Sequence, residues 1–219
     1  MLKEKLKMQW YWFAVACCRN FCRLFFRMRV YGIENIPAEG AFLLVSNHQS
    51  FLDPLFCGIF SKRALYFLAR DTLFRNKFFG PLISSVHAMP VKRDTADMGA
   101  MKRVIGKLKE GAGVCLFPEG TRSRDGRISV FKPGLGLLCR RGDAAIVPVV
   151  IDGAFECWPR HRKLFSVWKK ISVCYGEPIT AEQVKQMDDR ELAERLTNTL
   201  RKMQNERRVK EGKKVYDYG

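Results

Sequence analysis

The chain has 219 residues, of which 47% are hydrophobic and 28% charged, a composition that suits one globular domain and excludes wholesale disorder. Lys plus Arg number 39 against 22 Asp plus Glu, a formal net charge of +17. A chain this basic calls for an anionic partner: nucleic acid, an anionic membrane surface or phosphorylated small molecules.

The first element is an apolar run, 10–18, ended by Arg19. A helix of that length reaches only about 14 Å, against roughly 30 Å of bilayer hydrocarbon, which disfavours a transmembrane span. The flank Arg19-Asn20-Phe21-Cys22-Arg23 is a poor leader-cleavage site. Trp10, Phe13, Cys17, Phe21, Leu24 and Met28 fall on one helical stripe, Arg19, Arg23 and Arg27 on another face, and Lys3, Lys5 and Lys7 precede both. Aromatic groups opposed by arginines predict an amphipathic helix lying in a membrane interface, with packing on the domain's own core as the alternative. The chain thus divides into a membrane-associating segment, 1–28, and a domain, 29–219.

Along that domain, hydrophobic patterning predicts strands at 29–33, 41–45, 65–68, 88–91, 114–117, 146–151 and 171–175. Helices are predicted at 54–60, 72–85 with an interruption at Gly80-Pro81, 96–110, 134–141, and 181–208 with a break near Asp188-Asp189. The alternation predicts an α/β fold: a mixed, mostly parallel sheet flanked by helices. The 8 cysteines form no CxxC pair, and no histidine sits at zinc-finger spacing from any pair. They read as small buried hydrophobes in a reducing compartment, and no metal site is expected.

Two constellations follow strand ends, where sites gather in open α/β sheets. The first is Asn47-His48-Gln49-Ser50-Phe51-Leu52-Asp53-Pro54. Histidine is the natural general base near neutral pH, and a carboxylate beside it fixes its tautomer. On a continuous helix five residues turn through about 500°, so His48 and Asp53 meet only if the segment between them bends. Asp53 before Pro54 also reads as a helix N-cap. The second is Phe117-Pro118-Glu119-Gly120-Thr121-Arg122-Ser123. Gly120 permits close backbone approach, Thr121 offers a hydroxyl and Arg122 a planar fork for phosphate. Glu119 is placed to hold that arginine or to accept a hydroxyl proton. A plain polar turn is the bland alternative. His87 and His161 lack a carboxylate at suggestive spacing and read as core or surface residues.

Together, Asn47-His48 with Asp53 and Phe117-Pro118-Glu119-Gly120-Thr121-Arg122 resemble the signature of the glycerolipid acyltransferases of the 1-acylglycerol-3-phosphate type. Met89-Pro90-Val91-Lys92-Arg93 resembles that family's second block, without its usual glycine and aromatic. Ile146-Val147-Pro148-Val149-Val150 resembles the fourth, and Phe131-Lys132-Pro133-Gly134 the turn after the third. The resemblance covers about residues 28–180. It implies acyl transfer from a thioester, acyl-CoA or acyl carrier protein, to the free hydroxyl of lysophosphatidate, giving phosphatidate. His48 would be the base and Asp53 its brace. Arg93, Glu119, Gly120, Thr121, Arg122 and Lys132 would hold the acceptor, with the arginines and Lys132 on its phosphate. Backbone N–H groups of the His48 loop are the expected oxyanion donors. Neither cofactor nor metal is implied, and the expected location is the cytoplasmic face of an anionic membrane. Glycerol-3-phosphate or another lysolipid is the alternative acceptor. A covalent route through Cys57 or Ser50 is a minor alternative. A non-catalytic basic protein binding membrane or nucleic acid is the remaining one, though no nucleic-acid module is visible and no nucleic-acid partner is expected.

Overall fold

The computed structural model describes residues 2–92 and 97–219. In chain order the elements are α1 (Leu2–Phe25), β1 (Arg27–Tyr31), β2 (Ala41–Ser46), α2 (Asp53–Gly58), β3 (Leu65–Arg70), α3 (Phe79–Ser85), β4 (Ala88–Val91) and α4 (Met98–Lys109). Then come β5 (Gly113–Leu116), α5 (Leu135–Gly142), β6 (Ala144–Asp152), α6 (Ala154–Cys157), β7 (Lys170–Tyr175), α7 (Ala181–Gln186) and α8 (Asp189–Lys210).

The strands form one sheet in the order β1-β7-β6-β2-β5-β3-β4, parallel throughout except for the antiparallel β6–β7 pair. This is the expected mixed, mostly parallel α/β arrangement. Alternation along β2 explains the two layers. Phe42 and Leu44 enter a core with Phe56, Leu65 and Ile171 beneath α1 and α2, whereas Leu43 and Val45 enter one with Leu108, Leu135, Leu192 and Leu196 beneath α4, α5 and α8. Both faces are therefore covered, and the polar loops gather at the strand ends.

Two sequence expectations change in detail. The segment 72–85 is not broken at Gly80-Pro81; both residues lie inside α3. The break comes earlier, between a 3₁₀ turn at Asp71–Arg75 and α3, because Asn76 Oδ1 accepts from the N–H groups of Phe78 (3.0 Å) and Phe79 (2.8 Å) and starts a new helix there. The second change concerns α1. It packs on the domain through Tyr11 and Cys22, which are buried, and through Phe21 of the predicted stripe, which meets Phe26 and Phe165; Met28, at the end of that stripe, lies in β1. The Leu65 N–H donates to Tyr11 Oη (3.0 Å) and Arg19 Nε to the Ile59 carbonyl (2.8 Å). Tyr11 also stacks on His87 (4.7 Å), which stacks in turn on Tyr66 (4.6 Å). Of the predicted stripe, Trp10, Phe13, Cys17 and Leu24 stay exposed. The helix thus packs one face on the core and leaves another outward. Among the described residues no helix is long and apolar enough to cross a membrane.

The end of β6 carries a buried ion cluster. Asp152 is fully buried and accepts from Arg208 Nη1 (2.8 Å), Gln204 Nε2 (3.3 Å) and Lys213 Nζ (2.8 Å). Removing the carboxylate leaves Arg208 without its acidic partner, while Lys213 keeps Glu211 (2.9 Å). Asp152→Ala is expected to cost about 3–5 kcal/mol of folding stability, read by urea denaturation.

Candidate active site

The site is built where β2 and β5 end. After Ser46 the chain leaves the sheet, but Asn47 extends the pairing of β2 with β6. Its amide donates to the Ile151 carbonyl (2.9 Å) and accepts from the Ile151 N–H (2.8 Å), with the side chain almost fully buried. The next residue is His48, and the loop then turns back on itself before α2. That turn brings His48 Nδ1 to 2.7 Å from Asp53 Oδ2. The same oxygen accepts from the N–H groups of Gln49 (2.5 Å) and Ser50 (2.7 Å). Asp53 is fully buried. It does not cap α2, as the N-cap reading had it; the residue at that position, Leu52, makes no side-chain cap bond, and Asp53 points backward to close the loop.

An ionised Asp53 accepts only, so Nδ1 of His48 carries the proton and Nε2 keeps its lone pair on the ring edge away from the carboxylate. The ring lies against Phe117 (4.3 Å between centroids, 25° between planes) and lines a cavity of about 650 Å³. Phe117, Glu119, Gly120 and Thr121 line the same cavity, as do Leu68, Val91, Leu116 and Leu135. Its basic side chains are Arg70, Lys92 and Lys132. The wall therefore combines apolar and basic side chains with the His48 ring.

The Glu119 turn is locked to the His48 loop. Glu119 Oε1 accepts from the His48 N–H (2.8 Å) and Oε2 from the Ser129 N–H (3.3 Å), while the Ser123 N–H donates to the His48 carbonyl (2.7 Å). Gln49 Nε2 donates to the Gly126 carbonyl (2.7 Å). Gly120 sits at φ +67°, and no atom lies within 4 Å of an added Cβ, so backbone conformation and not crowding demands glycine there. Glu119 therefore braces two loops through one bond on each carboxylate oxygen. The His48, Gln49 and Ser50 N–H groups are all engaged by carboxylates, which removes them as oxyanion donors.

Arg122 departs from its expected place. Its guanidinium lies over the Phe51 ring (3.3 Å from Cζ to the centroid) and lines a second cavity, about 290 Å³, with Arg124, Arg160 and Ser129. Glu119 and Thr121 line both cavities, whereas Arg122 lines the smaller one and His48 the larger. Arg93 lies outside the described residues. Arg70, not singled out in the sequence, ends β3 beside Val91 on β4. Its place at a strand's C-terminal end was the available signal. Neither Cys57 nor Ser50 lines either cavity, and both are fully buried. Cys115 does line the larger one, but burial pushes its thiol well above the ordinary range, which suppresses the thiolate.

These features agree with three comparisons. A family model described as Acyltransferase matches residues 27–152. The chain belongs to the acyltransferase family. A chloroplastic 1-acyl-sn-glycerol-3-phosphate acyltransferase of Arabidopsis thaliana is 33% identical over 62% of this chain, which spans 38% of that protein. The 1-acyl-sn-glycerol-3-phosphate acyltransferase of Bacillus subtilis is 28% identical over 84% of this chain and 91% of its own length. The crystal structure of the 1-acyl-sn-glycerophosphate acyltransferase PlsC of Thermotoga maritima superposes with a TM-score of 0.81 at 26% identity, covering 94% of this chain and 83% of that one.

Burial raises Glu119 from the ordinary 4.5 to about 7, against the lowering effect of the two N–H groups. The folded state therefore holds this proton more tightly than the unfolded chain. Its contribution to stability is full below about 4.5 and is lost as pH climbs through about 7, a change on the order of 3 kcal/mol. Between those pH values Glu119→Gln should flatten the fall of unfolding free energy with pH, as followed by denaturation at a series of pH values.

Proposed function

We propose that this acyltransferase moves a fatty acyl group from a thioester donor to the free hydroxyl of lysophosphatidate, producing phosphatidate. The single observation that carries the reading is the His48–Asp53 pair at 2.7 Å on the wall of a cavity lined by both apolar and basic side chains. The matching names of the plant, Bacillus and Thermotoga relatives support the choice of acceptor. The donor is acyl-CoA or acyl carrier protein, both of which present the acyl group as a thioester.

In this mechanism the acceptor hydroxyl donates to His48 Nε2. As its oxygen attacks the thioester carbonyl, His48 takes the proton, and Asp53 stabilises the resulting imidazolium through Nδ1–H. Collapse of the tetrahedral intermediate forms the ester and expels the thiolate, to which the imidazolium returns the proton. Phe117 and the bonds that Asn47 makes to Ile151 hold the ring in place, which supplies part of the orientation the reaction needs. Arg70, Lys92 and Lys132 draw the acceptor's phosphate into the larger cavity. Leu68, Val91, Leu116 and Leu135 give apolar surface to a hydrocarbon chain. Arg93 remains a proposed phosphate contact from its motif alone. Thr121 supplies a hydroxyl where the two cavities adjoin, and Arg122 supplies charge in the smaller one.

The outward stripe of α1, with Trp10, Phe13 and Leu24 exposed among Lys3, Lys5 and Lys7, suits an anionic bilayer surface, where a lysolipid acceptor resides. The net charge of +17 acts in the same direction. The proposed location is the cytoplasmic face of such a membrane.

The test is acyl transfer to lysophosphatidate in the presence of vesicles. His48→Ala is expected to lower kcat by about 10²–10⁴-fold, the usual worth of general-base catalysis, with little change in the KM for lysophosphatidate. Comparable turnover by the two proteins would remove the proposal. Arg70→Ala is expected to leave kcat nearly unchanged and to raise the KM for lysophosphatidate roughly ten-fold, the effect of one lost charge-assisted bond. Glycerol-3-phosphate offered in place of lysophosphatidate separates the two acceptors directly.

A further inference from the structure

The connection from β3 to β4 carries four large apolar side chains that the described residues leave exposed in whole or in part. Phe78 is 89% exposed, Leu82 49%, Phe79 44% and Leu73 40%. Their outward direction is built in. Asn76 caps α3 through the N–H groups of Phe78 and Phe79, which fixes where the helix begins. Gly80 then lies so near the Phe74 carbonyl that a Cβ there would come within 2.5 Å of the oxygen. With the helix start and this close approach both set, α3 cannot roll to bury Phe78 and Leu82. A contiguous exposed apolar patch on a globular domain marks a contact surface.

The surroundings indicate what meets it. The patch continues α1's outward stripe, because Trp10 Nε1 donates to Ser85 Oγ at the end of α3 (2.8 Å) and Trp10 itself lies against Phe13 (5.8 Å). Arg75 and Lys77 are exposed within the same connection, whose one carboxylate among the described residues is Asp71, paired with Arg75 (3.4 Å). Lys3, Lys5 and Lys7 are exposed on α1. Aromatic and aliphatic groups ringed by cations match the boundary of an anionic bilayer, where rings reach acyl-chain depth and cations meet headgroup phosphates. The connection also starts directly after Arg70, on the wall of the larger cavity.

We infer that the β3–β4 connection, led by Phe78, Phe79 and Leu82, is a second lipid-contacting surface that inserts beside α1 into an anionic bilayer. The inference rests on the proposed use of a lipid acceptor and adds a contact to which neither motif block belongs. Two apolar elements side by side would hold the domain in one orientation on the bilayer, where a single helix leaves it free to rotate about its axis.

The test is co-sedimentation with vesicles of phosphatidylcholine, alone or mixed with phosphatidylglycerol. Phe78→Ser and the double variant Phe78→Ser/Leu82→Ser are compared with wild type. The double variant is expected to partition onto the mixed vesicles at least roughly ten-fold more weakly, following the loss of inserted apolar area. Arg75→Ala/Lys77→Ala should weaken binding to mixed vesicles only, and less so at high salt. Thermal melting should be unchanged for Phe78→Ser, whose side chain contributes little to the core. Turnover of a short-chain lysophosphatidate dissolved as monomer should also be unchanged, since neither position touches the cavity. Equal partition of wild type and both serine variants, or failure of wild type to sediment with mixed vesicles, would overturn the inference. If no protein turns over the monomeric substrate while the serine variants still lose vesicle binding, the catalytic reading fails and the surface stands.

Discussion

Asp53 collects three donors on one oxygen: the imidazole N–H of His48 and the backbone N–H groups of Gln49 and Ser50. This convergence decides both the shape of the loop and the chemistry of the ring. A carboxylate buried this fully needs hydrogen-bond partners to keep its charge, and the two backbone groups provide them before the histidine is considered. The loop that satisfies the carboxylate is also the loop that carries the histidine. One interaction therefore sets the tautomer, the ring's direction and the backbone path from β2 to α2. Glu119 repeats the logic from the other side, holding the His48 N–H and the Ser129 N–H on its two oxygens, so that the two signature segments form one body.

Much of the architecture was legible because it depends on patterns that repeat along the chain. All seven predicted strands occur, with no end shifted by more than two residues, and the break near Asp188 falls where Asp188 caps α8. The meeting of His48 and Asp53 was legible as a condition, that the intervening segment must bend, and the bend is present. What escaped depends on contacts between distant residues. No spacing rule shows that Asn47 pairs with Ile151, that Phe117 backs the imidazole or that Arg122 lies over Phe51. Arg70 escaped for a related reason: it belongs to no motif and reaches the cavity only because β3 ends beside β4.

The predicted stripe of α1 contributes only Phe21 from within the helix to the packing, and the buried Tyr11 and Cys22 lie off it. Tyr11 and Cys22 have a polar atom or little bulk, and hydropathy ranks them below Trp10 and Phe13. The domain nevertheless takes them, because Tyr11 offers a hydroxyl to the Leu65 N–H at the start of β3 and a ring to His87. A free strand-end donor outweighs greasiness in choosing which face docks.

That division of labour along α1 has a thermodynamic consequence. Since Tyr11 and Cys22 fix the helix to the domain while Phe13 and Leu24 face outward, leaving a bilayer bound as proposed would not require undocking. Adsorption and folding are then separable equilibria, and the molecule can hop between lipid surfaces as an intact body, its catalytic geometry travelling with it.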